Sequence, residues 1–252
     1  MLDNDRGKIK ADEREALRWF ATGDPGARFW ISWLEEQGFC EYKLCLRCRG
    51  AVAPDSDSVR VGIIAHETIK REHDALAGVE MTVEDAVVQA IGLGESSTFA
   101  EYPVMGGCLS GIVDGLVLGR NSAGLDTAWV VDNKTRPRTI GMGPHYSQQR
   151  QALGYAIAWA KMYPVYFESG SIVAVVRDKM FLPRHDLRGG WMWEAVLTND
   201  HIRDVLETVD WVRLILTDPS QARDTQSKGK CSGCEYGHRV GTGDCDRDKS
   251  LE

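Results

Sequence analysis

With 252 residues, a net charge of −7, and apolar and charged fractions of 43% and 27%, the chain fits one large domain or one core with a small appendage. No run approaches the roughly 20 apolar residues of a membrane span, and residues 1–6 lack the apolar core of a secretory signal, so we expect a cytoplasmic protein with no membrane partner. The acidity lowers the expectation of a nucleic-acid binder without excluding one, because metal ions can neutralise an acidic nuclease site.

The first third of the chain is predicted to be mainly helical. Helical periodicity covers residues 11–22 and, after a Gly/Pro break, residues 27–37, where an aromatic stripe is expected to pack in the core and Gly38 to end the helix. Residues 39–49 alternate enough to predict a strand or short hairpin arm. After a loop, residues 58–77 are again predicted to be helical.

The rest of the chain alternates predicted strands and helices. Gly106-Gly107 and residues 121–124 are turn signals, so the first three strands are expected to form an antiparallel meander. Strands are predicted at residues 98–105, 109–118, 128–132, 171–177 and 191–196, and helices at residues 83–91, 146–162 and 200–216.

Two of these strands carry an aspartate after apolar residues. Asp114 follows Ile-Val, and Asp132 follows Val-Val, with Lys134 two residues later and on the same face of the strand. An isolated D-x-K is most often a surface ion pair, but an aspartate on a strand that runs into the interior needs a partner or a metal. Carboxylates gather Mg²⁺ or Mn²⁺, which activate water, and a lysine balances charge on a phosphate.

Seven cysteines without an export signal predict metal or cluster ligation rather than disulfides. Three of them lie in a polar, glycine-rich C-terminal segment with little to bury them. An upstream cysteine would complete a set of four thiolates, which suits zinc or an iron–sulfur cluster, and the spacing does not separate the two. The C-terminal three are Cys231, Cys234 and Cys245, and the upstream candidates are Cys40, Cys45 and Cys48.

The order G-I-V-D-G, V-V-D-N-K-T and Q-A-L-G-Y, with a histidine after Gly62 upstream, resembles the signature of RecB-type nucleases of the PD-(D/E)XK superfamily. The resemblance covers roughly residues 62–155. It implies an α/β (α+β) core with a central mixed sheet flanked by helices. It also implies roles for seven residues: metal binding by His66, Asp114, Asp132 and the carbonyl of Asn133, catalysis by Lys134, and contact with DNA or bracing of the site by Gln151 and Tyr155.

The cysteine arrangement is similar to that of the iron–sulfur RecB-like nucleases, among them the CRISPR-associated Cas-four-type exonucleases. The stretch C-E-Y-K-L-C at Cys40 resembles their N-terminal motif, so Cys40 is preferred, then Cys45 and then Cys48. The ten-residue interval before Cys245 is longer than is usual in the family. The resemblance implies a four-iron four-sulfur cluster that staples both chain ends, held by Cys40, Cys231, Cys234 and Cys245.

These expectations divide the chain into an N-terminal helical segment (1–57), a nuclease core (58–218) and a C-terminal cysteine segment (219–252). The expected function is Mg²⁺- or Mn²⁺-dependent exonuclease activity on single-stranded DNA, 5′ to 3′, in CRISPR spacer acquisition with integrase proteins as partners. One alternative is a viral or cellular repair and recombination nuclease of the same fold. Another is a non-catalytic, zinc-stapled DNA-binding protein. The sequence leaves the oligomeric state open.

Overall fold

The structure is a computed structural model that describes residues 13–52, 96–136, 143–168, 171–181, 187–223, 225, 230–231, 234–237 and 241–247, and the single positions 64, 67, 68, 71, 82, 85 and 87. The chain divides into two compact units. The central unit comprises residues 57–205, and the terminal unit combines residues 1–56 with residues 206–252. The terminal unit thus takes in residues 206–218, which the sequence-based division placed with the core.

The elements follow one another in a mixed α/β order. In chain order they are α1 (residues 13–21), β1 (Phe29–Trp30), α2 (Trp33–Phe39), α3 (Glu41–Arg49), β2 (Ser97–Gly106), β3 (Leu109–Arg120), β4 (Asp126–Arg136), α4 (Tyr146–Met162), α5 (Pro164–Glu168), β5 (Ser171–Phe181), β6 (Leu187–Val196), α6 (Asn199–Thr217) and a 3₁₀ turn (Pro219–Gln221). None of the helices in the described part of the chain is long and apolar enough to cross a membrane.

A central mixed sheet flanked by helices organises the central unit. Strands β2, β3 and β4 form the predicted antiparallel meander, β5 lies parallel to β4, and β6 returns antiparallel to β5. Helix α4 makes the crossover between the two parallel strands, as a parallel pair requires. The five predicted strands and the two later helices are confirmed, and the bounds of α4 agree with the prediction. The part of residues 58–91 that is described is helical at positions 64, 67, 68, 71, 85 and 87.

Strand β4 is buried on both faces. Val130 and Val131 are both fully buried, although their side chains point to opposite sides of the sheet. Val131 packs with Val173 and Val175 of β5 on one side. The other side faces α4, whose alanines allow the helix to approach the sheet closely. A carboxylate on the face of β4 that packs against α4 is therefore held in the interior of the central unit.

Gly106 lies where α4 crosses the end of β2. A methyl group at this position would lie 2.5 Å from the carbonyl oxygen of Ala158 and 2.5 Å from Cβ of Lys161. Because both neighbours belong to the helix backbone or its first side-chain carbon, neither gives way without moving the helix. The close packing of α4 on the sheet therefore depends on glycine at this position.

Replacing Gly106 with alanine is expected to destabilise the protein by about 1–3 kcal/mol through overpacking. Gly143→Ala is the matched control, because a Cβ at Gly143 meets no atom within 4 Å. Denaturant unfolding of both variants measures the difference. Equal unfolding midpoints for the two variants would contradict the packing described here.

The terminal unit begins with an aromatic core in which the prediction of a helix over residues 27–37 is wrong in part. Residues 29–30 are extended, and α2 begins only at Trp33 and runs through Gly38 to Phe39. The aromatic stripe is buried as expected: the Phe29 ring contacts the rings of Phe20 and Trp33, each at 5.3 Å between centroids and near the edge-to-face geometry. These contacts among aromatic side chains override the helix propensity of the first residues.

The predicted strand over residues 39–49 is also wrong, because this stretch forms helix α3. Tyr42, Cys45 and Leu46 are buried and spaced three and four residues apart, so they lie on one face of a helix. They pack with Ile215 and Tyr236 in the core of the terminal unit. Residues 39–49 thus fit two patterns. The alternation of apolar and charged residues predicted a strand, but the residues that are buried repeat with the 3.6-residue period of a helix.

Arg47 links three segments of the terminal unit. Its Nη1 donates hydrogen bonds to carboxylate oxygens of Glu13 at 2.8 Å and Glu36 at 2.7 Å, and its Nε donates to the hydroxyl of Tyr236 at 3.1 Å. Burial opposes the charge of Arg47, but the two carboxylates outweigh it and raise the pKa of the guanidinium. Lys43 is likewise paired, with Glu235 at 2.7 Å. The basic residues of this stretch are thus committed to structure.

Candidate carboxylate–lysine site and cysteine cavity

The two predicted aspartates lie together at the end of the β3–β4 pairing. Residue 115 pairs with residue 131 in the register, so Asp114 and Asp132 follow on the same face of neighbouring strands. Oδ2 of Asp114 accepts a hydrogen bond of 2.6 Å from the backbone N–H of Asn133. Asp132 is only 4% exposed. The sequence pattern therefore placed these carboxylates correctly on one face.

Lys134 connects Asp132 with helix α4. Its Nζ lies 3.0 Å from Oδ2 of Asp132 and donates a 2.7 Å hydrogen bond to Oε1 of Gln151. Nε2 of Gln151 in turn lies 3.3 Å from the hydroxyl of Tyr155, one helical turn later. The structure thus brings together six of the seven predicted site residues, and side-chain contacts between the sheet and α4 link four of them: Asp132, Lys134, Gln151 and Tyr155.

Burial affects the Tyr155 hydroxyl at the helix end of this network. Burial raises the pKa of Tyr155, and the nearby charge of Asp132 raises it further. The phenol therefore stays protonated at ordinary pH and is available as a hydrogen-bond donor. Lys134, half-buried beside Asp132, is a cation next to a carboxylate in an environment shielded from water, where charge interactions are stronger than at the surface.

Asn133 has its own position in the site. Its backbone N–H holds Asp114, and its side chain points to the opposite face of the sheet. This side chain is 1% exposed, and neither its oxygen nor its nitrogen has a hydrogen-bond partner among the described residues. The motif resemblance implies a role only for the backbone carbonyl of Asn133 and none for its buried side-chain amide.

His66, the remaining predicted metal ligand, lies outside the described residues. Within the described part of the chain, no three His, Cys, Asp or Glu side chains form a group that would hold a metal ion. Asp114, Asp132 and the carbonyl of Asn133 are nonetheless oxygen donors, the class that Mg²⁺ and Mn²⁺ prefer. They are the residues of this site that could bind such an ion.

A cavity in the terminal unit is lined by four cysteines: Cys40, Cys231, Cys234 and Cys245. Cys40 is the single residue between α2 and α3 and has an extended backbone, and Cys231 and Cys234 are buried in the C-terminal segment. All four have free thiols. The two ends of the chain thus supply one cysteine and three cysteines to the same cavity, the set that the sequence predicted.

Cys45 and Cys48, the other N-terminal candidates, do not line this cavity. Cys45 is 1% exposed, and its Sγ lies 3.3 Å from the carbonyl oxygen of Ile215 in the hydrophobic core. Burial raises the pKa of Cys45 to about 11, so it is an inert thiol. Only Cys40, which precedes α3, projects from a position outside the helix. Of the three N-terminal candidates, only Cys40 lines the cavity, because α3 directs the side chain of Cys45 into the hydrophobic core.

Within the long interval before Cys245, residues 235–237 and 241–245 are joined by backbone hydrogen bonds. The N–H of Thr242 donates to the carbonyl of Glu235, and the N–H of Cys245 donates to the carbonyl of Tyr236 at 2.9 Å. Gly241 allows this approach, because a Cβ there would overlap with the backbone carbonyl of Glu235. These contacts hold Cys245 beside residues 235–237 and thus at the cavity.

The thiols of the cavity affect one another. Burial raises the pKa of Cys234, and burial together with the thiolates of Cys40 and Cys234 raises the pKa of Cys245 to about 11. Without a bound cation, these two groups are therefore protonated at neutral pH, and a metal would have to displace their protons. A bound cation would stabilise the thiolate forms of these buried groups, because it offsets the repulsion between their negative charges.

The cavity wall also contains two cationic residues that the sequence did not predict as part of a site, Lys230 and Arg247. Each lies within two residues of a predicted cysteine ligand, and this proximity was the signal available in the sequence. Aromatic rings complete the wall: Nζ of Lys230 lies 5.2 Å from the centroid of the Phe39 ring, and the Arg247 guanidinium lies 4.2 Å from that of Tyr42. The wall is therefore cationic and aromatic as well as sulfur-rich.

Comparison with known proteins gives few matches. No protein-family model matches the chain, and no curated protein does. Among solved structures, 11 chains match. One, described as "Crystal structure of SSO0001", is similar over 92% of this chain and 95% of its own, with 13% sequence identity and a TM-score of 0.39.

Proposed function

We propose that the protein is a metal-dependent deoxyribonuclease of the PD-(D/E)XK type that degrades single-stranded DNA from an end. The observation that carries this proposal is the buried network of Asp114, Asp132, Lys134 and Gln151. An antiparallel meander, a crossover helix and a further parallel strand hold it, and this order also supports a nuclease core of that type.

The oxygen donors of the site suit Mg²⁺ or Mn²⁺, which would be held by Asp114, Asp132 and the carbonyl of Asn133, with His66 as the fourth proposed ligand. The ion supplies Lewis acidity toward a phosphate oxygen and lowers the pKa of a bound water. Hydrogen bonds within the chain hold the carboxylate and ammonium groups of the site in position. The Asn133 N–H fixes the Asp114 carboxylate, and Gln151 fixes the Lys134 ammonium, with Tyr155 bracing Gln151.

Lys134 contributes a fixed positive charge beside the carboxylates. Phosphodiester hydrolysis builds negative charge on the phosphate oxygens, and a preorganised cation in a shielded site stabilises that charge without reorganising. The ammonium is already held at 2.7 Å by Gln151 and 3.0 Å from Asp132, so little conformational freedom is lost when substrate binds. This geometry supports hydrolysis rather than DNA binding alone, since a non-catalytic binding protein has no need of a buried lysine–carboxylate pair.

We further propose that Cys40, Cys231, Cys234 and Cys245 hold a four-iron four-sulfur cluster. The four cysteines line one cavity but do not converge on a single metal position as placed in the structure. Four thiolates are the donor set of such a cluster, and a zinc ion is the alternative occupant with the same donors. Because the ligands come from both ends of the chain, the group would act as a cross-link within the terminal unit. Iron and zinc analysis of the purified protein distinguishes the two.

The resemblance of the motifs and cysteines to Cas-four-type exonucleases supports a role in CRISPR spacer acquisition, with integrase proteins as partners. A viral or cellular repair nuclease would use the same site. Co-purification with the integrase proteins of the source organism tests the first role, and failure to bind them would favour the second.

The proposed activity is tested with end-labelled single- and double-stranded DNA in Mg²⁺ or Mn²⁺, comparing the wild-type protein with Asp132→Ala. We expect progressive shortening of single-stranded DNA by the wild-type protein, with labels at each end reporting the direction. Asp132→Ala should lose this activity and retain the wild-type circular dichroism spectrum. Undiminished degradation by Asp132→Ala would refute the site.

A further inference from the structure

Arg247 is held in one position on the wall of the cysteine cavity. Its Nη1 donates a 2.7 Å hydrogen bond to the carbonyl of Ala222, and its Nη2 donates a 3.1 Å hydrogen bond to the carbonyl of Pro219. Its guanidinium also stacks over Tyr42, which lines the same cavity. Three contacts from two segments therefore fix the orientation of this cation, and both hydrogen bonds go to neutral acceptors.

The charges around the cavity are asymmetric. The described residues of the cavity wall include two cations, Arg247 and Lys230, and no aspartate or glutamate. Two acidic residues lie next to the cavity cysteines in the chain without lining the cavity. Glu235 pairs with Lys43, and Asp246 and Arg49 both interact with the Tyr42 hydroxyl. Arg247 therefore places a fixed positive charge on the wall that the four cysteines share.

We propose that Arg247 is the charge-compensating residue of this cavity, which stabilises the net negative charge of a cofactor bound by four thiolates. Four thiolates outweigh the positive charge of either an oxidised four-iron cluster or a zinc ion, so the loaded cavity is anionic in both cases. A fixed guanidinium offsets that charge and reduces the cost of burying it. The inference rests on the proposed cofactor and is independent of the nuclease activity.

This role makes Arg247 a positioning and electrostatic residue rather than a ligand. In an iron-loaded protein, a nearby cation favours the reduced cluster, which carries one more negative charge, and so raises the reduction potential. In either a zinc- or an iron-loaded protein, it slows loss of the metal. A purely mechanical role, in which Arg247 only tethers the C-terminal segment, would slow metal loss without requiring a positive charge.

The test compares Arg247→Lys with Arg247→Gln. Lysine keeps the charge and loses the planar fork, whereas glutamine keeps an N–H donor for the carbonyls and loses the charge. Arg223→Gln is the control, because Arg223 stacks on Trp211 in the same unit, is exposed and does not line the cavity. Iron, sulfide and zinc per chain, the rate of metal loss to a chelator and, for an iron-loaded protein, the midpoint potential are measured.

We expect Arg247→Gln to lose metal about 10- to 100-fold faster than wild type, the range for residues that support metal ligands. We expect Arg247→Lys to stay closer to wild type, and Arg223→Gln to match it. The midpoint potential of an iron-loaded Arg247→Gln variant should be more negative. Metal loss and potential in Arg247→Gln equal to those in Arg223→Gln, or slower loss from Arg247→Gln than from Arg247→Lys, would overturn the proposal.

Cys40→Ala separates this inference from the cofactor proposal. If wild type holds metal, Cys40→Ala loses it and the Arg247 variants keep it, then the inference about Arg247 fails while the cofactor remains. If wild type holds neither iron nor zinc after anaerobic reconstitution, both fail together. The nuclease proposal is unaffected in either case, because its residues lie in the central unit.

Discussion

Lys134→Met is expected to lower the rate of metal-dependent DNA degradation by about 10²–10³-fold, the loss found when one preorganised charge-stabilising group is removed. Methionine keeps most of the length and apolar stem of lysine, so the packing near Gln151 is largely retained. Lys161→Met, in the exposed last turn of α4, is the matched control and should keep wild-type activity. Single-turnover cleavage of end-labelled single-stranded DNA gives the rates.

The same substitution also has a structural effect, which must be separated from the catalytic one. Removing the lysine leaves the Asp132 carboxylate, 4% exposed, without its nearest cation. Breaking a buried pair in this way costs about 3–5 kcal/mol, and less where water reaches the pair. The double variant Asp132→Asn/Lys134→Met removes both charges and should recover much of that stability while remaining inactive.

Activity and stability therefore change differently across these variants if Lys134 is catalytic. Lys134→Met should be both inactive and destabilised, and the double variant inactive and nearly as stable as wild type. Because Asp132 is itself a proposed metal ligand, the double variant reports on stability alone. A Lys134→Met variant that is folded under the assay conditions and cleaves at the wild-type rate would show that the lysine only supports the fold. Denaturant unfolding and cleavage rates measured on the same preparations make this comparison.

Cys40→Ala is expected to remove the metal of the cysteine cavity and to lower the stability of the terminal unit, whereas Cys45→Ala should keep the metal. Cys40 lines the cavity with the three C-terminal cysteines, and Cys45 is directed at the Ile215 carbonyl in the core. The cofactor would close a loop between residues 40 and 231. Loss of a cross-link of that kind costs about 2–5 kcal/mol by analogy with disulfides.

Cys45→Ala controls for the general effect of removing a buried thiol from α3. It leaves a small cavity in the core and should cost on the order of 1 kcal/mol. Metal content and thermal unfolding with and without a chelator distinguish the two variants. Equal metal content in Cys40→Ala and wild type would exclude Cys40 as a ligand, and metal loss in Cys45→Ala alone would assign the fourth position to Cys45.

The sequence by itself determined the strands and the helix that carry the candidate site. The meander and α4 were predictable because their apolar residues repeat with clear periods and are separated by glycine-rich turns. The D-x-K spacing placed Asp132 and Lys134 on one face, because side chains alternate along a strand. For Gln151 the resemblance implied only contact with DNA or bracing of the site, and its hydrogen bond with Lys134 required the crossover of α4 to form.

Tertiary packing alone decided the conformation of residues 27–49. The stretch around Cys40 and Cys45 contains short apolar and charged residues compatible with both a strand and a helix. Burial of Tyr42, Cys45 and Leu46 against the C-terminal part of the chain selects the helix. That selection in turn excludes Cys45 from the cavity, a result that local periodicity does not contain.

The cavity itself is a product of contacts between distant segments. Its four cysteines were predicted from the resemblance to the iron–sulfur RecB-like nucleases, but the position of Cys245 depends on a glycine that fits against the Glu235 carbonyl. The cation on its wall depends on where Arg247 finds two carbonyls and a tyrosine ring. The sequence thus determined which groups are available for chemistry, and only long-range packing decided which of them meet, because hydrogen bonds and burial between remote residues leave no periodic signal.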